Sequence, residues 1–208
     1  MKLNLSRYGQ YKKDIFEKLD FNFMAGRRLL DLGCGDGSDA DIFLNEYKLD
    51  VYGVDIYEHE NLKKIKGLKF EKGGIDKIPF KDSEFDYVFL HDVLQHIDEN
   101  GQRKSKHLAG LRELKRVCKN GGTIIIVEGN RYNPLFYPHM VKMLGHNHFK
   151  QSYFNDIVLQ IFPGAIFKYF EAHLYPPKYL SFWKLYEKIM ESIIPHKFRA
   201  YNVAIIKK

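Results

Sequence analysis

The residues most able to do chemistry sit in Asp31-Leu32-Gly33-Cys34-Gly35-Asp36-Gly37-Ser38. Three alternate glycines let the backbone turn sharply and leave no Cβ in the path of a ligand. The spacing is G-x-G-x-G, whereas the dinucleotide fingerprint is G-x-G-x-x-G, with a pyrophosphate on a helix N-terminus. A carboxylate at Asp31, just before the glycines, repels a diphosphate and attracts an ammonium. A second acid, Asp55, follows Gly35 by ~20 residues, the position from which an acid accepts both hydroxyls of a ribose. Ile56 beside it can cover one face of an adenine. The two acids together ask for a nucleoside joined to a cationic group. Further along, Leu90-His91-Asp92-Val93-Leu94-Gln95-His96 carries two imidazoles, which exchange protons near neutral pH. Glu128-Gly129-Asn130-Arg131 offers polar groups for an acceptor.

These residues need elements to hold them. Apolar runs at 28–33, 50–56, 68–73, 85–90 and 123–128 read as strands. Leu29-Leu30 and Ile124-Ile125-Ile126-Val127 do not alternate with polar residues, so both faces of the sheet are covered, as in a parallel sheet. Helices are expected at 38–47, 58–65 and 102–118. In the last, Leu108, Leu111, Leu114, Val117 and Cys118 make one apolar face, and Asn120-Gly121-Gly122 stops it. Strand–helix alternation predicts a doubly wound α/β fold, with the acids and glycines at strand ends. In the tail, 166–174 reads as a strand, 179–194 as a helix and 200–207 as a final strand. These finish a seven-stranded, mostly parallel sheet with helices on both faces and an antiparallel edge strand near the C-terminus.

Composition narrows the classes. The chain has 208 residues, 45% hydrophobic and 28% charged, the mix of one globular domain rather than a disordered, collagenous or coiled-coil protein. Two cysteines, Cys34 and Cys118, exclude a disulfide scaffold and a four-cysteine zinc site. His139, His146 and His148 lack a companion Cys or carboxylate cluster, so no metal site is expected. The polar N-terminus does not read as a signal peptide and no apolar run reaches ~18 residues, so a cytoplasmic protein is expected. The 33 basic and 26 acidic residues leave +7, but no dense basic run supports a nucleic-acid partner.

Taken together, Leu30-Asp31-Leu32-Gly33-Cys34-Gly35-Asp36-Gly37, Gly53-Val54-Asp55, Ile78-Pro79-Phe80, Phe85-Asp86-Tyr87-Val88, and Leu111–Val117 followed by Lys119-Asn120-Gly121-Gly122 resemble the class I S-adenosylmethionine-dependent methyltransferases. The similarity covers residues 25–130 and is to the broad group that includes the ubiquinone and menaquinone methyltransferases. The resemblance implies a Rossmann-like methyltransferase fold and S-adenosylmethionine as cofactor. It implies that Asp31 and the Gly33 backbone hold the methionine ammonium, that Gly35 and Gly37 make room, that Asp55 binds the ribose and that Ile56 packs on adenine. The family often has an acid that accepts from the adenine amine; here its place falls on Gly74, leaving the Ile75 amide, with Asp76 as a replacement.

His91 lies where the family lines the methionine part, and is a candidate base or a backbone contact only. His96, Glu128, Asn130 and Arg131 are candidate substrate contacts. Arg7, Tyr8 and Tyr11 are candidates for a lid. The resulting expectation is one methyltransferase domain: a lid at 1–25, a cofactor core at 26–130 and an acceptor side at 131–208 with an inserted helix at 179–194. The methyl acceptor is expected to be a small or lipid-linked molecule, methylated at oxygen. The alternatives are an RNA-nucleoside methyltransferase and a non-catalytic cofactor-binding homologue. A stripe at 179, 182, 183, 186, 190 and 193 fits core or lid, peripheral membrane contact or a dimer contact; the oligomeric state is left open.

Overall fold

The computed structural model describes residues 4–99, 101–174 and 177–208. Seven strands form one sheet: β1 (Arg28–Leu32), β2 (Asp50–Asp55), β3 (Lys69–Lys72), β4 (Phe85–His91), β5 (Cys118–Gly129), β6 (Ile166–Phe170) and β7 (Tyr201–Lys207). Their spatial order is β3-β2-β1-β4-β5-β7-β6. The first five are parallel, and β7 runs against both neighbours. The strand expected at the edge in antiparallel sense therefore lies one position in. The edge itself is β6, which points the same way as β5.

Five helices of eight residues or more flank the sheet among the described residues: α1 (Gly9–Leu19), α2 (Ser38–Asn45), α3 (Lys104–Val117), α4 (Gln151–Ile161) and α5 (Leu180–Ser192). Successive residues of a strand point to opposite faces, and the core divides accordingly. Leu29, Phe89, Ile125 and Val127 pack with α1 and α2 on one side. Leu30, Leu90, Ile124 and Ile126 pack with α3 and α4 on the other. The unbroken apolar runs of β1 and β5 thus serve two layers.

Three elements differ from the sequence expectation. The helix expected over 58–65 is only a 3-10 turn, Glu60–Lys64, because it offers a single buried apolar side chain, Leu62, and no stripe to hold more turns. The strand expected over 166–174 stops at Phe170, where β7 ends its pairing. The region 130–165, where no element was read, contains α4 and a short π-type helix, Tyr137–Met143.

Candidate active site

Parallel register brings the chemistry to one edge. Asp31 pairs with Gly53 and Phe89, Asp55 with Lys72, and His91 with Val127, so β1, β2, β4 and β5 all end on the same side of the sheet. Ligands in open α/β sheets bind outside these carboxyl ends. A cleft of about 800 Å3 opens here, a volume suited to a cofactor-sized molecule. Gly33, Asp55, Ile56, Ile75, Asp92 and His96 are among its lining residues.

The glycine loop crosses this edge between β1 and α2. Gly35 has φ +50° and open space where a side chain would stand, so a ligand can approach its backbone closely. Gly33 combines φ +73° with a different constraint: a Cβ there would lie 2.3 Å from Val93. The loop is tied to β2 by Asp55, whose Oδ2 accepts from the Gly35 amide at 2.9 Å and whose Oδ1 accepts from the Tyr57 amide at 3.0 Å. Those bonds fix the carboxylate while its remaining lone pairs face the cleft. Ile56 beside it is left 56% exposed, a flat apolar surface on the cleft wall.

Asp31 is in the opposite state. It is 2% exposed, and its Oδ2 has no hydrogen-bond partner among the described residues. Burial, then the neighbouring Asp39 charge, push its carboxyl well above the usual range. A buried acid with an open acceptor atom is the group that gains most from an incoming cation.

Gly74 sits where the adenine-facing acid was missed. An ideal Cβ on Gly74 would stand 2.7 Å from Asp76 Oδ1. Asp76 therefore delivers a carboxylate to the space that a side chain at 74 would fill, and it lines the cleft with Gly74 and Ile75.

His91 is held differently from the sequence expectation of a cofactor-facing base. Its side chain is 8% exposed, with Nδ1 2.9 Å from Asp39 Oδ2 and Nε2 3.0 Å from the Tyr11 hydroxyl. Lys12 Nζ lies 2.7 Å from Asp39 Oδ1. Burial alone raises Asp39, but Lys12 and His91 outweigh it and hold the carboxyl below its usual range. On the other side, Tyr11 meets the Tyr201 hydroxyl at 2.5 Å, and Tyr201 donates to Asp92 Oδ2 at 3.4 Å. Asp92 adopts φ +56° and its Oδ1 accepts from the Gly129 amide at 2.8 Å. This chain links α1 to the ends of β4, β5 and β7. Sequence reading missed Lys12, Asp39 and Tyr201; only Asp39, in the first turn after the glycine loop, carried a local signal.

The acceptor-side candidates separate. His96 lines the cleft, with Nδ1 2.5 Å from Glu99 Oε1. Glu128 is fully buried, and its oxygens accept from the amides of Val93, Leu94 and Gln95 at 2.9, 2.7 and 3.4 Å. Burial, then the Asp92 charge, push its carboxyl up to about 8. Asn130 is equally buried and donates to the Lys197 and Arg199 carbonyls, 2.8 Å each. Neither side chain is open to an acceptor. Arg131 is half-buried, and its amide donates to the Phe149 carbonyl. The His96 and His146 rings lie 6.2 Å apart and those of His146 and His148 5.8 Å apart. Among the described residues no group of three His, Cys, Asp or Glu side chains is placed to hold a metal ion. Of the lid candidates, Tyr11 touches His91, while Arg7 pairs with Glu46 and Asp41 on the surface beside α2.

Residues 30–126 match the family described as a methyltransferase domain. Over that span, just under half of the chain, it is similar to S-adenosylmethionine-dependent methyltransferases. It is 32% identical over 149 residues to an uncharacterized methyltransferase of Schizosaccharomyces pombe, covering 64% of this chain and 46% of that protein. It is 28% identical over 135 residues to the demethylmenaquinone methyltransferase of Staphylococcus saprophyticus, covering 61% of this chain and 54% of the relative. The chain thus spans about half the length of these two relatives. A crystal structure of a SAM-dependent methyltransferase from Archaeoglobus fulgidus shares the fold, with TM-score 0.68, 18% identity and coverage of 94% and 92%. The residues at the sheet edge suit S-adenosylmethionine: a buried carboxyl group with one open oxygen for the ammonium, a fixed open carboxylate for the ribose, and an apolar wall for adenine.

Proposed function

We propose that this methyltransferase domain transfers the methyl group of S-adenosylmethionine to an oxygen of a small-molecule or lipid-linked acceptor. One observation carries the reading. Asp31, buried with its Oδ2 unpartnered, and Asp55, open and fixed, stand on one sheet edge, the two environments that a cationic amino-acid end and a ribose require. In this reading residues 26–130 bind the cofactor, 131–208 form the acceptor side and 1–25 cover the site. Asp31 and the Gly33 backbone take the ammonium, Gly35 leaves room, and Asp55 takes the ribose hydroxyls; Gly37, where a Cβ would meet Ile65 at 2.3 Å, makes room for that side chain instead. Ile56 packs on the adenine, and Ile75 and Asp76 meet its polar edge across Gly74.

When bound, the cofactor supplies a methyl on a positively charged sulfur, so the protein has chiefly to align a nucleophile with it. His96 lines the cleft, and Glu99 holds one of its nitrogens. We assign it the acceptor's hydroxyl proton. His91, with both ring nitrogens engaged, is a positioning residue that braces α1 against the strand ends. Glu128 and Asn130 shape the wall without touching the acceptor. The Staphylococcus relative, named for demethylmenaquinone, supports a lipid-linked acceptor.

The test uses methyl-labelled S-adenosylmethionine with purified protein and a cell extract divided into lipid, small-molecule, protein and RNA fractions. Label in the lipid or small-molecule fraction is expected. Label confined to RNA would overturn the acceptor class and make the +7 charge functional.

A further inference from the structure

Helix α5 is turned inside out relative to an ordinary surface helix. A surface helix buries its apolar stripe and shows its charges to water. In α5 Lys184, Glu187 and Glu191 face the protein. Lys184 Nζ lies 2.6 Å from Asp14 Oδ2 on α1 and 3.0 Å from Glu187. Lys18 of α1 reaches Glu187 at 3.1 Å and Glu191 at 2.8 Å. Glu187 is only 3% exposed. The opposite face carries Phe182, Leu185 and Ile189, at three- and four-residue spacing, followed by Ile193 just past the helix; these are 63, 56, 44 and 74% exposed. The stripe read from sequence is thus divided: Trp183, Tyr186 and Met190 turn inward, and Tyr179, Phe182 and Ile193 turn outward.

The position of α5 matters. It joins the end of β6 to the start of β7. Because β6 points the same way as β5, that connection lies on the sheet edge where β1, β2, β4 and β5 also end. The chain therefore enters and leaves α5 from the ligand side of the sheet.

We propose that the outer face of α5 docks on an anionic lipid bilayer. Exposed Lys178, Lys188 and Lys197 flank the apolar residues, and the described outward positions of α5 hold no acid, since Glu187 and Glu191 are tied to α1. That composition is the one of a helix lying in the plane of a membrane interface. A twofold-related copy would set the same lysines against each other with no opposing carboxylate, whereas an anionic surface complements them. At 13 residues the helix is ~20 Å long, enough to lie in the interface but not to cross a bilayer, and no described helix is long and apolar enough to span one. The proposal deepens the acceptor reading and rests on it for its purpose, the delivery of a lipid-linked acceptor to the cleft. Docking itself is measured without any acceptor.

The chain has one tryptophan, Trp183, on the inner side of α5, so its fluorescence reports whether the helix keeps its packing. Purified protein is mixed with vesicles of phosphatidylcholine alone or enriched in phosphatidylglycerol. Sedimentation with the anionic vesicles and release by salt are expected, with Trp183 emission little changed. The double variant Leu185→Glu/Ile189→Glu, whose positions are exposed and leave the core intact, should bind vesicles ~tenfold more weakly or worse. Its circular dichroism and cofactor binding should match the parent. Equal sedimentation of variant and parent, equal binding to neutral vesicles, or no binding would each overturn the proposal. So would a doubling of mass in light scattering that the double variant abolishes, which would make a second copy the occupant. Loss of methyl transfer with vesicle binding intact would instead strike the acceptor reading.

Discussion

The two halves of the ligand edge are built by opposite rules. On the side of β1 and β2, polar groups are presented: Asp55 faces the cleft with its backbone bonds already made, and Asp31 keeps a buried acceptor atom unpaired. On the side of β5, β6 and β7, several buried polar groups are consumed, although Asn202 of β7 is not. Glu128 caps three amides, Asn130 and Asn133 close loops, and Glu171 binds Asn133, His173 and the Ala200 amide. What that half presents to solvent is the apolar face of α5. The first half is arranged for a small ligand with fixed charges, and the second for shape and for an apolar approach. A buried charge left unpaired costs stability unless a ligand completes it, which sets the open oxygen of Asp31 apart from the capped oxygens of Glu128.

The largest expected effect tests the presenting half. Asp55→Ala removes two charge-assisted bonds to the ribose, each ~1.5–3 kcal/mol, so cofactor affinity should fall on the order of a hundredfold or more. Titration calorimetry checks this, and unchanged binding would end the ribose assignment. Asp31→Asn keeps the shape and deletes the charge. Cofactor affinity should fall ~tenfold, while the ligand-free protein should melt at a higher temperature, because a desolvated acid has gone. A variant that loses both affinity and stability would make Asp31 scaffolding after all. Asp76→Ala sharpens the comparison further: a loss of several-fold in affinity for the cofactor, with affinity for a cofactor analogue lacking the adenine amine unchanged, would identify Asp76 as the replacement for an acid at Gly74.

The smallest effect belongs to the consuming half. Glu128 has its folded-state carboxyl raised to about 8 against an ordinary 4.5. For a raised group the stabilisation is complete below the ordinary value and is lost as pH rises through the folded one. The melting temperature of the ligand-free protein should therefore fall as pH climbs from about 4.5 to 8. Glu128→Gln should flatten that fall by a few degrees, with cofactor affinity little changed.

Legibility followed the same division. The glycine loop, Asp31, Asp55 and Ile56 form local signals, since a turn, a strand end and the residue after it are set within a few positions of one another. Their roles could be framed before any fold was known. The surroundings of His91 were not legible in the sequence because its neighbours come from elsewhere: Tyr11 lies 80 positions away and Asp39 lies 52. Gly74 looked like a lost contact because the side chain that fills its space belongs to Asp76, and a two-residue offset becomes a coincidence in space only once the loop is folded. Glu128 and Asn130 looked like acceptor contacts because strand ends usually face ligand, yet adjoining loops took up both groups.

The sequence by itself determined the parallel layering, through strands apolar on both faces, and the chemistry at the ends of β1 and β2, because both are written in short-range patterns of residue type. Only the tertiary structure decided which polar groups remain open and which face of α5 meets water. Those outcomes depend on partners distant in the chain: Lys18 and Asp14 on α1 turn the charged side of α5 inward and so turn its apolar side out.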